Sequence, residues 1–414
     1  MQRRDFLRGL GILGCSAAAH PWLNTVTMAG SDGGRPLGDH RFVVMILRGA
    51  MDGLDVVQPQ GAAEYAGYRP TLIQPDAPDL DGFFRLHSAM APLLPLWAAG
   101  ELGFVHATST PYRDKRSHFD GQDMLEAGTG MDVPLDQVRD GWLNRLLQTQ
   151  KGLTSQTAYS VGVDAMPILA GPAPVKEWAP ETTLALTPQS QLLLERVYHD
   201  DLLFQSAALE AMELAAAGNL GAALESGMGA NKAIGTGMVP QEPSREARVR
   251  DVVGLVDYAA AQMLQDARIV AFSLTGWDTH KGQASGLPLA LTRLQYSILR
   301  LKAGLGPEVW GKTTVLAMTE FGRTAKENGT KGTDHGTAGL MVMAGGAIAG
   351  GKVYGQWPGL AEADLYQRRD LMPTSDVRAW AAHALRGMYG IDRALLEGVV
   401  FPGLQMGDDP GIIR

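Results

Sequence analysis

The sequence predicts an α/β fold built on a mainly parallel, doubly wound sheet. Several apolar runs of strand length lack the polar alternation of a half-exposed strand, as expected where a strand is covered on both faces. Segments with apolar residues at three- to four-residue spacing, typical of amphipathic helices, lie between these runs. Strands that alternate with helices form βαβ units, and such units build parallel sheets.

Six apolar runs are the predicted strands. They lie at residues 42–47, 102–106, 159–163, 269–274, 313–319 and 340–344. The predicted helices lie around residues 91–99 and at 189–217, 246–265, 287–304 and 375–389. We expect one domain over residues 41–405, with a helical insertion at about 188–265.

Composition narrows the class of protein. The chain has 414 residues, 45% of them hydrophobic, which is enough for a sizeable core and excludes general disorder. The formal charge is −8, and no run of Lys or Arg follows residue 10, so we expect no nucleic-acid partner. The 51 glycines predict many loops and tight turns, where functional sites concentrate.

The N-terminus, MQRRDFLRGLGILGCSAAA, resembles a twin-arginine export signal. Arg3 and Arg4 precede a short apolar run over residues 9–19, which is too short to span a bilayer. We therefore predict recognition by the twin-arginine export machinery, location in the periplasm or cell envelope, and no transmembrane anchor. The alternative is an ordinary amphipathic first helix. Residues 1–30 are left out of the fold prediction.

Cys15 is the only cysteine, so the chain can form neither an internal disulfide nor a cysteine metal cluster. The stretch ILGCS resembles a lipobox, in which Cys15 would carry a lipid anchor after cleavage. The competing prediction is cleavage after residues 17–19 or 27–29, which would remove the cysteine.

Acids and histidines gather where predicted strands end. In doubly wound sheets, sites form at the carboxyl ends of the strands. The polar residues at these positions are Asp52 and Asp55 after the first run, His106, Ser117 and His118 after the second, Asp278 and His280 after the fourth, and Glu320, Arg323, Asp334 and His335 after the fifth.

These residue types indicate a metal site. Carboxylate and imidazole ligands without cysteine suit Zn, Mn, Ca or Mg. Asp278 and His280 are two residues apart, so both can face one ion from an extended loop. For any single histidine, a structural role is the alternative.

Two further residue types fit an anionic substrate. Arg48, Arg116 and Arg323 would complement a phosphate or sulfate oxyanion, unless they pair with neighbouring acids. Ser117 precedes a predicted helix start, where it could act as a nucleophile beside the positive helix end. The alternative is that Ser117 is only the N-cap of that helix.

Seven motifs in order resemble one family. They are LRGAMDGLDVV, RSHFDGQDMLEAGT, GWLNRLL, FSLTGWDTH, TTVLAMTEFGRT, NGTKGTDHGTAG and GGKVYGQWPGL. Over residues 41–403 the sequence is similar to the DUF1501 family of exported bacterial proteins, which is grouped with the alkaline phosphatase and sulfatase superfamily. The resemblance implies a three-layer α/β/α fold and descent from a two-metal esterase.

The resemblance also implies roles for individual residues. The implied metal ligands are Asp52, Asp278, His280, Glu320, Asp334 and His335. The implied catalytic residues are Ser117, His118 and Arg323. One departure weakens this implied set, because Arg48 stands where the superfamily has a metal-binding aspartate, leaving Asp52 or Asp55 as substitutes.

Two functions therefore compete. The first is an exported, divalent-metal-dependent hydrolase of small phosphate or sulfate esters. The second is a non-catalytic envelope protein that keeps the fold for binding or assembly. A cofactor-dependent oxidoreductase is disfavoured, because no GxGxxG motif follows a predicted strand.

Overall fold

A nine-stranded sheet forms the centre of the protein. The computed structural model describes residues 37–131, 133, 140–180 and 245–414. The sheet strands are β1 (Arg41–Leu47), β4 (Leu102–Ser109), β5 (Ala158–Val161), β6 (Lys176–Trp178), β7 (Ile269–Leu274), β8 (Thr313–Met318), β9 (Gly339–Ala344), β10 (Val353–Tyr354) and β11 (Ser375–Asp376). A separate two-stranded ribbon joins β2 (Val57–Gln58) to β3 (Arg85–Leu86).

The sheet is mainly parallel, as the sequence predicts. Its order is β10-β4-β9-β8-β1-β7-β5-β6, with β11 also paired to β4. All six predicted strands are present as β1, β4, β5, β7, β8 and β9, whereas the three short strands β6, β10 and β11 were not predicted. Strand β9 alone runs antiparallel to its neighbours β4 and β8 within the described sheet. Its amino end therefore lies at the same edge as the carboxyl ends of the other strands.

Helices cover the sheet. They are α1 (Gly53–Val56), α2 (Tyr65–Tyr68), α3 (Leu94–Ala98), α4 (His118–Ala127), α5 (Trp142–Gln148), α6 (Arg245–Met263), α7 (Gln283–Trp310), α8 (Val377–Tyr389) and α9 (Arg393–Leu395). The predicted helices at 246–265, 287–304 and 375–389 correspond to α6, α7 and α8. The predicted helix at 189–217 lies outside the described residues.

The two faces of β1 enter different cores, which establishes the three-layer architecture. Val43, Met45 and Leu47 pack into a core that includes residues of α6 and α7. Residues 42, 44 and 46 of the same strand pack on the other face into a core that includes residues of α5 and α8. Every residue of β1 is buried, so the strand needs apolar side chains on both faces.

The predicted helical insertion is described only at its end. Helix α6 packs against the sheet beside α7, with Val252 and Val256 in the same core as Leu291 and Leu294. The rest of the predicted insertion, and the predicted signal segment at residues 1–30, lie outside the described residues. Among the described helices, none is long and apolar enough to cross a membrane.

Candidate metal centre

Three histidines and one aspartate meet at the carboxyl edge of the sheet. His118 is the first residue of α4, Asp278 and His280 lie in the loop after β7, and His335 lies in the loop before β9. The imidazole centroid of His335 is 4.2 Å from that of His118 and 4.6 Å from that of His280. One ligand atom each from His118, Asp278 and His335 lies within 4.8 Å of the others.

The histidines are held by their Nδ1 atoms. The His118 Nδ1 lies 2.7 Å from the Glu320 carboxylate, and the His280 Nδ1 lies 3.1 Å from that of Asp334. The His335 Nδ1 lies 2.9 Å from the backbone oxygen of Arg116. Ionised carboxylate and carbonyl oxygens only accept, so each Nδ1 carries the proton. With Nδ1 held in this way, Nε2 is the ring atom left to face a cation, the arrangement typical of metal-bound histidine.

The Nε2 atoms converge. Those of His280 and His335 are 2.9 Å apart, and the His280 Nε2 is 3.1 Å from Asp278 Oδ1. The His118 Nε2 is 3.5 Å from Asp278 Oδ2, is buried, and makes no hydrogen bond with any described residue. Lone pairs that face one another at such distances need a proton or a cation between them. The ligand atoms of His118, Asp278 and His335 therefore fit a divalent cation such as Zn²⁺, and the His280 Nε2 lies beside those of Asp278 and His335.

Arg323 keeps Asp278 ionised. Its guanidinium donates to Asp278 Oδ1 at 2.6 Å and to the backbone oxygens of Gly49, Ala50 and Thr333. Burial opposes ionisation of Asp278, but the hydrogen bond and charge of Arg323 outweigh it and lower the pKa of that carboxyl. The predicted catalytic role of Arg323 therefore needs correction, because the buried guanidinium is committed to Asp278 and to the surrounding loops.

Glu320 positions His118 and is not placed as a ligand. Its Oε1 accepts hydrogen bonds from the Gly49 and Ala50 amides at 2.9 and 3.0 Å, and it also faces Gln122 and His118. Burial raises the pKa of this carboxyl, but the hydrogen bonds led by His118 outweigh it and hold the pKa below its ordinary value. The predicted ligand role of Glu320 is corrected, because its oxygens are already occupied.

Asp334 is also placed behind the ligands. Its Oδ1 accepts from His280 and, at 3.0 Å, from the Asn328 amide. The predicted assignment of Asp334 as a ligand is thus changed to a residue that orients His280. By contrast, the structure brings the predicted ligands Asp278, His280 and His335 together, and adds His118, which the sequence assigned to catalysis.

Asp52 belongs to a separate buried network. Its carboxylate pairs with the Arg69 guanidinium at 2.6 and 3.1 Å and accepts from the Gln283 amide at 2.6 Å. Asp55 accepts from the same amide at 2.7 Å, and burial together with the Asp52 charge raises the pKa of Asp55 to about 7. The predicted metal role of Asp52 is corrected, since Arg69 already neutralises it.

The remaining predicted residues have structural partners. Ser117 caps α4, its Oγ accepting from the Asp120 amide at 3.4 Å, so the N-cap alternative is confirmed. Arg48 pairs with the buried Glu126 at 2.7 Å, which was the alternative weighed for that arginine. His106 lies apart, stacked on Phe84, and burial lowers its pKa to about 4.

Two glycines explain how the loop before β9 is held, in the stretch GTDHGT at residues 332–337. A Cβ on Gly332 would overlap the backbone of His280, and a Cβ on Gly336 would overlap the backbone of Arg323. Each glycine therefore allows close approach to a neighbouring loop. The Asp334-His335 pair is fixed by packing on both sides, although it lies outside regular helix or strand.

Comparison with known proteins identifies the family. Residues 107–399 match the family described as "Protein of unknown function (DUF1501)", and the chain belongs to it. A search of curated proteins found no match.

Two solved structures are similar over most of the chain. The C-terminal periplasmic domain of EcEptC from Escherichia coli, in complex with Zn, has a TM-score of 0.33 and 10% identity, covering 76% of this chain and 74% of that one. A TAB5 alkaline phosphatase mutant with Mg bound has a TM-score of 0.32 and 12% identity, covering 75% and 91%.

Proposed function

We propose that the protein is a metal-dependent hydrolase of small phosphate or sulfate esters. His118, His280, His335 and Asp278 would hold one divalent cation. A single observation supports this set: each imidazole is fixed through Nδ1 while its Nε2 faces the other ligand atoms. When bound, the cation supplies Lewis-acid activation of an ester oxygen or of water.

The centre is accessible from solvent on one side. The side chains of Asp278 and His280 are 48% and 44% exposed, whereas that of His335 is 17% exposed. A small ester can therefore approach over Asp278 and His280. The backbone contacts of Arg323 keep the opposite side closed.

Arg116 is the side chain we assign to the ester oxyanion. Of the three predicted arginines, Arg48 and Arg323 pair with Glu126 and Asp278. The Arg116 carbonyl accepts from His335, which keeps this residue beside the centre. Its guanidinium makes no direct hydrogen bond or ion pair with any described residue, although its charge acts on the Asp370 carboxyl. We assign this guanidinium to the oxyanion.

Ser117 remains a candidate nucleophile in this proposal. Its Oγ accepts a long hydrogen bond from Asp120, and an accepting hydroxyl keeps its own proton to donate. The residue directly precedes His118, so its hydroxyl lies at the helix start that carries a ligand.

The test combines metal content with turnover. The purified protein is stripped with a chelator, reloaded separately with Zn²⁺, Mn²⁺, Mg²⁺ or Ca²⁺, and assayed with p-nitrophenyl phosphate, its diester and p-nitrophenyl sulfate. We expect one cation per chain and metal-dependent turnover of at least one ester. His335→Ala should abolish both, and His40→Ala, which changes a histidine outside the centre, should abolish neither. Absence of turnover with every cation would contradict the hydrolase proposal.

The second candidate, a non-catalytic binding protein, has one specific observation in its favour. Asp52, the substitute for the first-strand aspartate of the superfamily, is neutralised by Arg69 and lies outside the cluster. A centre that cannot add a second metal through Asp52 fits binding better than two-metal catalysis. Stoichiometric metal binding without turnover of any ester would favour this candidate.

We also propose that the protein acts in the periplasm or cell envelope after twin-arginine export. Arg3 and Arg4 provide the support. Replacing both with Lys should leave the protein in the cytoplasm, as judged by cell fractionation. If the lipobox is used, Cys15→Ala should also release the exported protein from membranes.

A further inference from the structure

One buried amide joins the two loops of the candidate centre. Gln283, the first residue of α7, has no exposed surface. Its Oε1 accepts from the Thr279 hydroxyl at 2.9 Å and from the Thr333 hydroxyl at 2.7 Å. Thr279 stands between Asp278 and His280, and Thr333 stands two residues before His335.

The orientation of this amide is fixed from its other end. The Gln283 Nε2 donates to Asp52 at 2.6 Å and to Asp55 at 2.7 Å. Asp52 is in turn held ionised by both terminal nitrogens of Arg69. Because an ionised carboxylate only accepts, it selects the NH₂ end of the amide, and the carbonyl must face the two threonines.

We infer that Gln283 is a positioning residue that sets the separation of the Asp278–His280 loop from His335. The inference rests on the metal centre proposed above. The loops also meet through the Thr333 amide and the Thr279 carbonyl, 3.2 Å apart. The shared amide oxygen adds a side-chain bridge of two hydrogen bonds beside that backbone bond, so the bridge and the backbone bond together fix both the distance and the rotation of the two loops. The buried network that contains Asp52 therefore helps to position the ligands of the centre, although it does not contact the cation.

The threonine hydroxyls give the sharpest test. Thr279→Val and Thr333→Val each remove the hydrogen bond to Gln283 and keep the side-chain shape, whereas Thr279→Ser and Thr333→Ser keep the hydroxyl. Thr333→Val also removes a longer contact to Asp52 at 3.4 Å. Zn²⁺ affinity is measured by competition titration, and Co²⁺ absorption reports ligand geometry. We expect each Val variant to weaken Zn²⁺ binding about 10-fold or more and to alter the Co²⁺ spectrum, as for other groups that orient metal ligands. Each Ser variant should retain the wild-type Zn²⁺ affinity and Co²⁺ spectrum.

A matched control separates positioning from stability. Thr313 is fully buried and donates its hydroxyl to the Val309 carbonyl near the amino end of β8. Thr313→Val should lower the melting temperature while Zn²⁺ affinity and the Co²⁺ spectrum stay unchanged. In the double variant Thr279→Val/Thr333→Val, the loss in affinity should differ from the product of the two single losses, since both hydroxyls act on one oxygen.

The outcomes distinguish this inference from the proposed function. If both Val variants kept the Zn²⁺ affinity and Co²⁺ spectrum of the wild-type protein, the positioning role of Gln283 would be overturned. A second outcome is that the wild-type protein binds Zn²⁺ but cleaves no ester, and that both Val variants bind Zn²⁺ more weakly. This outcome would overturn the hydrolase proposal and support the inference. A wild-type protein that binds neither Zn²⁺ nor Co²⁺ would overturn both.

Discussion

The three imidazoles of the candidate centre differ in what holds them. The Nδ1 of His118 contacts the fully buried Glu320, and that of His280 contacts Asp334, whose side chain is 49% exposed. The Nδ1 of His335 contacts a backbone oxygen. A charged hydrogen bond is stronger where water is excluded. The Glu320 contact accordingly raises the pKa of His118, although burial of the ring opposes this. Glu320 should therefore matter more for the centre than Asp334.

Substitution of Glu320 and Asp334 tests whether Glu320 contributes more to metal binding than Asp334. Glu320→Gln and Asp334→Asn keep the shape of each side chain but replace a charged acceptor with a neutral one. We expect Zn²⁺ affinity to fall about 100-fold for Glu320→Gln and about 10-fold for Asp334→Asn, the range found for groups that orient metal-bound histidines. Competition titration measures both. A larger loss for Asp334→Asn would contradict the order, and melting of the metal-free variants identifies any loss of folding.

Arg116 offers a second test on a single residue. If its guanidinium binds the ester oxyanion, Arg116→Ala should lower kcat/KM about 10- to 100-fold, because a hydrogen bond to a charged group contributes about 1.5–3 kcal/mol. Metal content should be unchanged, since His335 contacts only the backbone oxygen of Arg116. Lys115→Ala, one position earlier and exposed, is the matched control. Equal kcat/KM in the two variants would remove Arg116 from the substrate site.

At the scale of elements, strand direction explains how the site is assembled. The sequence predicts the strands because their residues are buried on both faces, but it carries no signal for the reversed direction of β9. With β9 antiparallel, the whole connection between β8 and β9 starts and ends at one edge of the sheet. Asp334 and His335 therefore reach Asp278 and His280 although they precede a strand.

The loop before β9 provides the element-scale prediction. Gly336→Ala would force a Cβ into the backbone of Arg323, so we expect the free energy of unfolding to fall by about 1–3 kcal/mol, as for overpacked sites. Bound Zn²⁺ should be lost with it, because His335 would move. Gly329→Ala in the same loop meets no atom within 4 Å and should change stability by no more than about 0.5 kcal/mol. Urea unfolding with metal analysis measures both, and similar behaviour of the two variants would contradict the packing argument.

For the molecule as a whole, the sequence predicts the architecture better than the chemistry of its acids. Each strand can be recognised from its own apolar residues, because both of its faces are buried. Since sites in doubly wound sheets form at the carboxyl ends of the strands, Asp278, His280 and His335 are then expected to lie together. The roles of Glu320 and Asp52 depend instead on partners distant in sequence. Glu320 meets Gly49 and Asp52 meets Gln283, and no local pattern indicates either contact. His118 could have been assigned as a ligand, because it follows a strand end as the other ligands do.

The same buried network makes global stability depend on pH. Two carboxyls, Asp52 and Asp55, share one fully buried cation, Arg69, and Gln283 bridges them. Burial, reinforced by the Asp52 charge, raises the pKa of Asp55 to about 7, whereas an unfolded aspartate has a pKa of about 3.9. Between these values the folded state binds more protons than the unfolded state, so stability falls as pH rises. The contribution of Asp55 is complete below about pH 4 and is lost above about pH 7.

Asp55→Asn removes this titration. At pH 5 the variant exchanges one neutral group for another. It should still be less stable than wild type, because the Asn NH₂ would face one of the amide donors of Gln58 and Gln283. Between pH 5 and pH 8, however, wild type should lose stability that the variant does not lose, so the difference between them narrows. Urea unfolding midpoints at both pH values measure this change, and the exposed Asp76→Asn should retain the wild-type dependence. If Asp55→Asn lost as much stability over this range as wild type, Asp55 would already be ionised at pH 5, and the charge balance around Arg69 would need a different assignment.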